Sequence, residues 1–157
     1  MLKESLYHKT VDILYQAYFN DKLEHGHPCA CAIGNLVAAN TGIAPVTVND
    51  VSLFNTGTAF DGSQWYWLLK PENVGIKKII INNEVGEQQI KSTGYSMKEI
   101  LEIERAFEGA DGGDTDEDFK FNGLVAVLET LKEIHQVENN DTELCRFKKH
   151  YVTKAAL

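Results

Sequence analysis

Long apolar runs are missing from the sequence, and none approaches the roughly 18–20 residues that a membrane-spanning helix requires. The opening residues, MLKESLYHKT, are charged and lack the apolar core of a signal peptide. Cysteine is also scarce, with three in 157 residues, and without an export signal these thiols are expected to stay reduced. We therefore expect a cytoplasmic protein that has no membrane partner.

Basic side chains are few as well. The chain has 15 Lys and Arg against 23 Asp and Glu, which gives a formal net charge of −8. Nucleic acids and anionic membranes both require a basic surface, so this acidic protein is not expected to bind either. The hydrophobic share of 43% is that of a globular domain, and the length fits one domain over residues 1–157.

The charge that is present is unevenly distributed. Residues 97–120 contain nine acids and three bases, a net charge of −6, whereas residues 144–157 contain four bases and no acid. Opposite charges of this size favour attraction between the two regions, within one chain or between subunits. A protein partner or self-association is therefore expected.

The least polar stretch of the chain runs from Cys29 to Ala39, where Asn35 is the only polar side chain apart from the thiols. A helix that is apolar on every side belongs in the interior of a domain. Pro28 suits the first turn of such a helix, because a proline has no N–H to leave unpaired there. We predict a mainly α fold, a single-domain helical bundle around this buried central helix.

Apolar residues at helical spacing, together with capping signals, predict the other helices. A capping box formed by Ser96 and Glu99 is expected to open one of them. Residues 42–92 are harder to interpret, because turn-forming residues interrupt them and Trp65–Ile81 could form a small β-hairpin. The predicted helices are Leu2–Phe19, Asn83–Lys91, Ser96–Phe107, Phe119–His135 and Thr142–Ala156.

Cys29 is a candidate nucleophile. It would lie in the first turn of the central helix, where the helix dipole and free N–H groups stabilise a thiolate. A histidine such as His135 could serve as its base. No protease signature surrounds Cys29, and a small buried cysteine is commonly a core residue, so no catalytic residue is assigned.

Two segments contain metal-ligand residue types, but neither has suitable spacing. The segment from His25 to Cys31 places His, His, Cys and Cys at every second position, closer than the gaps of structural zinc sites. The acidic loop at residues 109–118 would need a glycine at Phe119 and a glutamate at Val125 to form a calcium-binding EF-hand. We expect no metal and no other cofactor.

Three polar residues lie on helix faces that are otherwise apolar. Asn35 is on the central helix, Glu104 is on the predicted helix that the capping box opens, and His135 is at the end of the predicted helix Phe119–His135. Each needs a hydrogen-bonding partner if it is buried. They could form an internal network that fixes helix register. They could instead line a small polar pocket together with Cys29, and these four residues are the candidate binding site.

Three blocks of the sequence resemble a family of small uncharacterised proteins from prophages and mobile elements. The blocks are CAIGNLVAAN (31–40), TGYSMKEILEIERAFE (93–108) and FNGLVAVLETLKEIH (121–135). This resemblance implies an accessory or interaction role and identifies no catalytic residues. The sequence therefore predicts a non-catalytic binding or interaction protein. The alternative is a small cysteine-dependent hydrolase or transferase that uses Cys29 with a histidine.

Overall fold

The computed structural model describes residues 3–24, 31–41, 83–110 and 112–155. These residues form six α-helices and no strand, which confirms the predicted mainly α fold. The predicted hairpin at Trp65–Ile81, together with Pro28 and Cys29, lies outside the described residues. The helices are α1 (Lys3–Phe19), α2 (Ala32–Thr41), α3 (Asn83–Ser92), α4 (Met97–Glu108), α5 (Asp116–His135) and α6 (Asp141–Ala155).

Helix α2 is the inner helix that the sequence predicted. Of its ten residues, Ala32, Ile33, Gly34, Leu36 and Val37 are buried. It packs against α1, which precedes it in the sequence, and against α3 and α4, which follow it. The described helix begins at Ala32, and Cys31 lies immediately before it.

Helix α1 buries one face, as its spacing predicted. The residues at helical spacing, Tyr7, Val11, Leu14 and Tyr18, are all at most 3% exposed. This face packs against α2, α5 and α6, because aromatic and branched side chains at these intervals form one continuous apolar stripe.

Helix α4 starts with the predicted capping box. The Ser96 hydroxyl accepts a hydrogen bond from the Glu99 N–H, and the Glu99 carboxylate accepts one from the Ser96 N–H. Gly94, just before this cap, has φ of +87°, and a Cβ there would come within 3.0 Å of the Leu6 side chain. A glycine therefore satisfies both the turn and its close approach to α1.

Helix α5 starts earlier than the sequence predicted. Thr115 is its N-cap and accepts a hydrogen bond from the Asp118 N–H, so residues 116–118 form the first turn instead of belonging to the acidic loop. Acidic side chains stabilise this position, because the N-terminal end of a helix carries a partial positive charge. The helix ends at His135, as predicted, and Gln136 follows in the left-handed conformation.

Helix α6 closes the bundle by joining its basic end to acidic residues elsewhere. The ammonium group of Lys154 forms an ion pair with Asp21, just after α1, and lies 3.6 Å from Glu117 on α5. The Tyr151 hydroxyl donates a hydrogen bond to Asp118, which holds the pKa of that carboxyl below its ordinary value. Part of the expected attraction between the acidic and basic regions thus occurs within one chain.

The described helices differ in length and polarity, but none of them is both long enough and apolar enough to cross a membrane.

Candidate functional site

His135 is held by a chain of hydrogen bonds at the end of α5. Its Nε2 atom lies 2.8 Å from the hydroxyl oxygen of Tyr95, and this hydroxyl donates to Oγ1 of Thr10 over 2.8 Å. Tyr95 lies in the turn between α3 and α4, and Thr10 lies on α1. Three separate parts of the chain therefore fix the imidazole.

The chain of hydrogen bonds also limits which atoms carry protons. A hydroxyl has a single hydrogen, so while Tyr95 donates to Thr10 its oxygen accepts from an Nε2–H of His135. Burial raises the pKa of Tyr95 well above its ordinary value, so this hydroxyl stays neutral. The arrangement suits a histidine that is anchored in one orientation.

The imidazole lies at the wall of a cleft of about 370 Å³, which we call the His135 cleft. Residues from the end of α5, the connection to α6 and the faces of α1 and α6 surround it. The lining residues are Tyr7, His8, His135, Gln136, Val137, Glu138, Asn139 and Glu143.

Tyr7 connects the aromatic side of this cleft to the core. Its ring packs edge-on against His8 and His135, with centroid distances of 5.2 and 5.6 Å. Burial, and secondarily the carboxylate of Glu143, raises the pKa of Tyr7 to about 12. Its hydroxyl makes no hydrogen bond of normal geometry with a described residue, although Asn140 is near enough to oppose the rise in pKa.

The cleft also contains acidic groups. Glu138 and Glu143 both line it, and the basic groups among its lining residues are two imidazoles, that of His135 and that of His8, which lies 3.9 Å from Glu143. His8 is exposed and carries a charge only when it is protonated. The cleft thus combines carboxylates, aromatic rings and a neutral tyrosine hydroxyl.

Asn35, the predicted site residue on α2, has a structural role at a different place. Its side-chain amide donates to the carbonyl oxygens of Lys22 and Cys31, at 3.1 and 3.0 Å. These bonds attach the end of the α1–α2 connection to the start of α2. Asn35 lines a separate open cleft of about 450 Å³ between α1 and α2, whereas His135 lines the cleft described above.

Glu104 is buried, at 1% exposure, and Glu102 is exposed, as helix geometry predicted. The carboxylate of Glu104 affects the pKa of Cys31. Burial raises the pKa of the Cys31 thiol well above its ordinary value, and the negative charges of Glu104 and Glu108 raise it further. Cys31 therefore stays a protonated thiol, which is the inactive form for nucleophilic attack.

Cys29, His25 and His27 lie outside the described residues. Among the residues that are described, no group of three or more His, Cys, Asp or Glu side chains is placed to hold a metal ion.

Sequence reasoning missed most of the groups that surround His135. A signal for Thr10 was present, because it lies within the apolar stripe of α1, between Tyr7 and Val11. Tyr95 carried no comparable signal, since it lies in a turn whose position depends on the packing of two helices.

No family model, no curated protein and no solved structure matches this chain. A function for the protein therefore has to be argued from the geometry of its sites.

Proposed function

We propose that the protein is a non-catalytic, cytoplasmic binding protein, and that the His135 cleft binds a small organic cation with an amine group. The observation that carries this proposal is the composition of the cleft. Two carboxylates, Glu138 and Glu143, lie beside the aromatic rings of Tyr7 and His135. Carboxylates and ring faces both attract a cation, and ring faces do so through their negative quadrupole.

The size and construction of the cleft support a small ligand. Its volume of about 370 Å³ falls within the range of ligand pockets, roughly 300–1,000 Å³. The hydrogen bonds from Thr10 through Tyr95 fix His135 before any ligand arrives, so little ordering is required on binding. Tyr7 stays protonated at neutral pH, so its hydroxyl adds no charge to the aromatic side of the cleft.

Cys31, the described cysteine immediately before α2, does not support a cysteine-dependent reaction, whereas Cys29, the nucleophile of that alternative, lies outside the described residues. The raised pKa of Cys31 keeps it protonated, and His135 is engaged by Tyr95. An accessory role in a prophage or mobile element, which the resemblance of the three sequence blocks implies, suits a small binding protein of this kind. It forms part of the proposal.

Calorimetric titration with three ligands of similar size tests the proposal. 2-Phenylethylamine is cationic at neutral pH, 2-phenylethanol is neutral and 3-phenylpropionate is anionic. The amine is expected to bind, and the alcohol and the acid are expected to bind more weakly or not at all. Equal binding of all three ligands would contradict a cation site.

The matched variants are Glu143→Gln and Glu129→Gln. Glu143 lines the cleft, whereas Glu129 is exposed on α5 and is not among the lining residues. Loss of one charge-assisted contact should weaken amine binding roughly tenfold, about 1.4 kcal/mol, in Glu143→Gln. Glu129→Gln should bind like the wild type, and equal weakening of the two variants would indicate a general charge effect.

A further inference from the structure

A third cleft, of about 340 Å³, lies between α1 and α6, and basic side chains line it. We call it the basic aromatic cleft. It combines two aromatic rings with cationic side chains, on a protein whose net charge is −8. Its lining residues are Tyr15, Phe19, Arg146, Lys149, His150 and Thr153.

Phe19 gives this cleft an exposed apolar wall. Its side chain is 52% exposed, and Phe19 and Val152 are the large hydrophobic residues most exposed in the described part of the chain. The ring stacks on Tyr15, with a centroid distance of 6.0 Å and an angle of 26° between the planes, and it contacts His150 at 5.0 Å. These contacts hold the ring in place while leaving half of it accessible.

Arg146 is positioned at the same cleft. Its guanidinium group lies 3.6 Å from the centroid of the Tyr15 ring, and one nitrogen is 3.2 Å from a carboxylate oxygen of Asp12. A planar guanidinium held by a ring and one carboxylate keeps other N–H groups available for a second carboxylate.

Lys149 supplies a further cation at this cleft. It is exposed and makes no ion pair with the residues that the structure describes, in contrast to Lys154, which contacts Asp21 and Glu117. An exposed ammonium group, a fixed guanidinium and an accessible ring lie next to one another here. The complement of this surface is an acidic group beside an apolar side chain.

We propose that the basic aromatic cleft docks an acidic segment of a partner protein. The segment places an apolar side chain against Phe19 and carboxylates near Arg146 and Lys149. Anchoring by an aromatic residue and an arginine is typical of protein interfaces. This site is separate from the His135 cleft, and it requires a partner, whereas that cleft requires a small ligand.

Charge distinguishes this occupant from two others. A nucleic acid carries one phosphate charge at every nucleotide and would be repelled by the net charge of −8 and by Asp12 and Asp21 nearby. A second copy that docked the same cleft face to face would bring one Lys149 towards the other. A short acidic protein segment carries fewer charges than a nucleic acid of the same length and can place them next to Arg146 and Lys149 alone, and it brings no second Lys149 to the cleft.

Fluorescence anisotropy with a labelled peptide of about 14 residues tests the proposal, because a helix of that length can fill a groove of this kind. The probe peptide has leucines on one helical face and glutamates on the other, and a control peptide has lysines in place of the glutamates. The acidic peptide is expected to bind at least tenfold more tightly than the basic one. The reverse preference, or none, would overturn the proposal.

The chain offers two matched pairs of variants. Lys149→Glu changes the cleft, whereas Lys148→Glu makes the same charge change at an exposed neighbour outside it; Phe19→Ala and Val152→Ala form the apolar pair. Lys149→Glu and Phe19→Ala should each weaken binding of the acidic peptide at least fivefold, and their controls less than twofold. Equal effects within either pair would overturn the proposal.

Two further measurements test whether the cleft binds a nucleic acid or a second copy of the protein instead. A single-stranded oligonucleotide of about 14 nucleotides that bound more tightly than the acidic peptide would overturn the choice of a protein segment. Sedimentation of the wild type as a dimer, with Lys149→Glu sedimenting as a monomer, would assign the cleft to a second copy instead.

Discussion

The hydroxyl oxygen of Tyr95 lies 2.8 Å from both Nε2 of His135 and Oγ1 of Thr10. This one buried oxygen therefore connects α1, the α3–α4 turn and the end of α5. Each bond joins two different elements. The two hydrogen bonds therefore hold the helices in their relative positions as well as orienting the imidazole. Its removal affects both stability and the His135 cleft.

Tyr95→Phe deletes that oxygen and keeps the ring. It leaves the buried polar groups of Thr10 and His135 without this partner, which is expected to lower the free energy of unfolding by about 1–3 kcal/mol. Urea denaturation measures the change. Tyr15→Phe removes the same atom from a half-buried ring and should change stability by less than about 0.5 kcal/mol. Two equal changes would show that the Tyr95 bonds contribute nothing specific.

Glu104 and Glu102 form a matched pair on one helix. Glu104 is 1% exposed, and Glu102 faces solvent. Glu104→Ala should lower the free energy of unfolding by about 1–3 kcal/mol, since a carboxylate this buried is expected to accept hydrogen bonds whose donors the variant would leave without an acceptor. Glu102→Ala should remain within about 0.5 kcal/mol of the wild type. Chemical denaturation of both variants checks this, and a stable Glu104→Ala protein would refute it.

The cysteines should differ in reactivity with iodoacetamide. Cys145 is exposed and should be alkylated in the native protein, whereas Cys31 is buried and protonated and should react only after unfolding. Peptide mapping by mass spectrometry after timed labelling resolves each thiol. The same experiment measures the reactivity of Cys29. Alkylation of Cys29 faster than that of Cys145 would support the cysteine-dependent enzyme over the binding protein.

Stability should fall at alkaline pH. The unfolded Cys31 thiol loses its proton near pH 9.0, while in the folded protein burial and Glu104 raise its pKa well above that value. The folded state thus binds more protons, and its stability is complete below about pH 9 and decreases as the pH rises. Burial raises the pKa of Tyr7, Tyr18 and Tyr95 as well, which extends the decrease above pH 10.

Denaturation curves from about pH 7.5 to about pH 10 measure this loss. Cys31→Ala should show a shallower decrease near pH 9 than the wild type, and Cys145→Ala should show the wild-type slope. An identical slope in all three proteins would mean that groups other than Cys31 cause the loss of stability at alkaline pH.

Local signals in the sequence predicted most of the described helices. The stripe from Tyr7 to Tyr18 and the Ser96–Glu99 capping box determine α1 and α4 through interactions within a few residues. The start of α5 was wrong by three residues, because the glycines and acids before Phe119 indicated a loop. In fact Thr115 caps the helix and the acids stabilise its first turn.

The candidate site was less predictable. Helix periodicity identified Glu104 as buried, but it could not say which residues face it across a helix–helix contact. The sequence left open whether Asn35 and His135 meet. They line different clefts, since their positions depend on how α2 and α5 are rotated within the bundle. Tyr95 joins His135 through a turn, where no periodic pattern exists.

The ion pair between Lys154 and Asp21 joins residues 133 positions apart. At typical synthesis rates a ribosome needs on the order of 10 seconds to make the intervening chain. Until α5 and α6 have been made and have left the exit tunnel, the apolar stripe of α1 lacks two of the helices that cover it. A nascent chain of this protein therefore presents Tyr7, Val11 and Leu14 to solvent or to a chaperone. Its burial is completed only once the closing helix has left the exit tunnel.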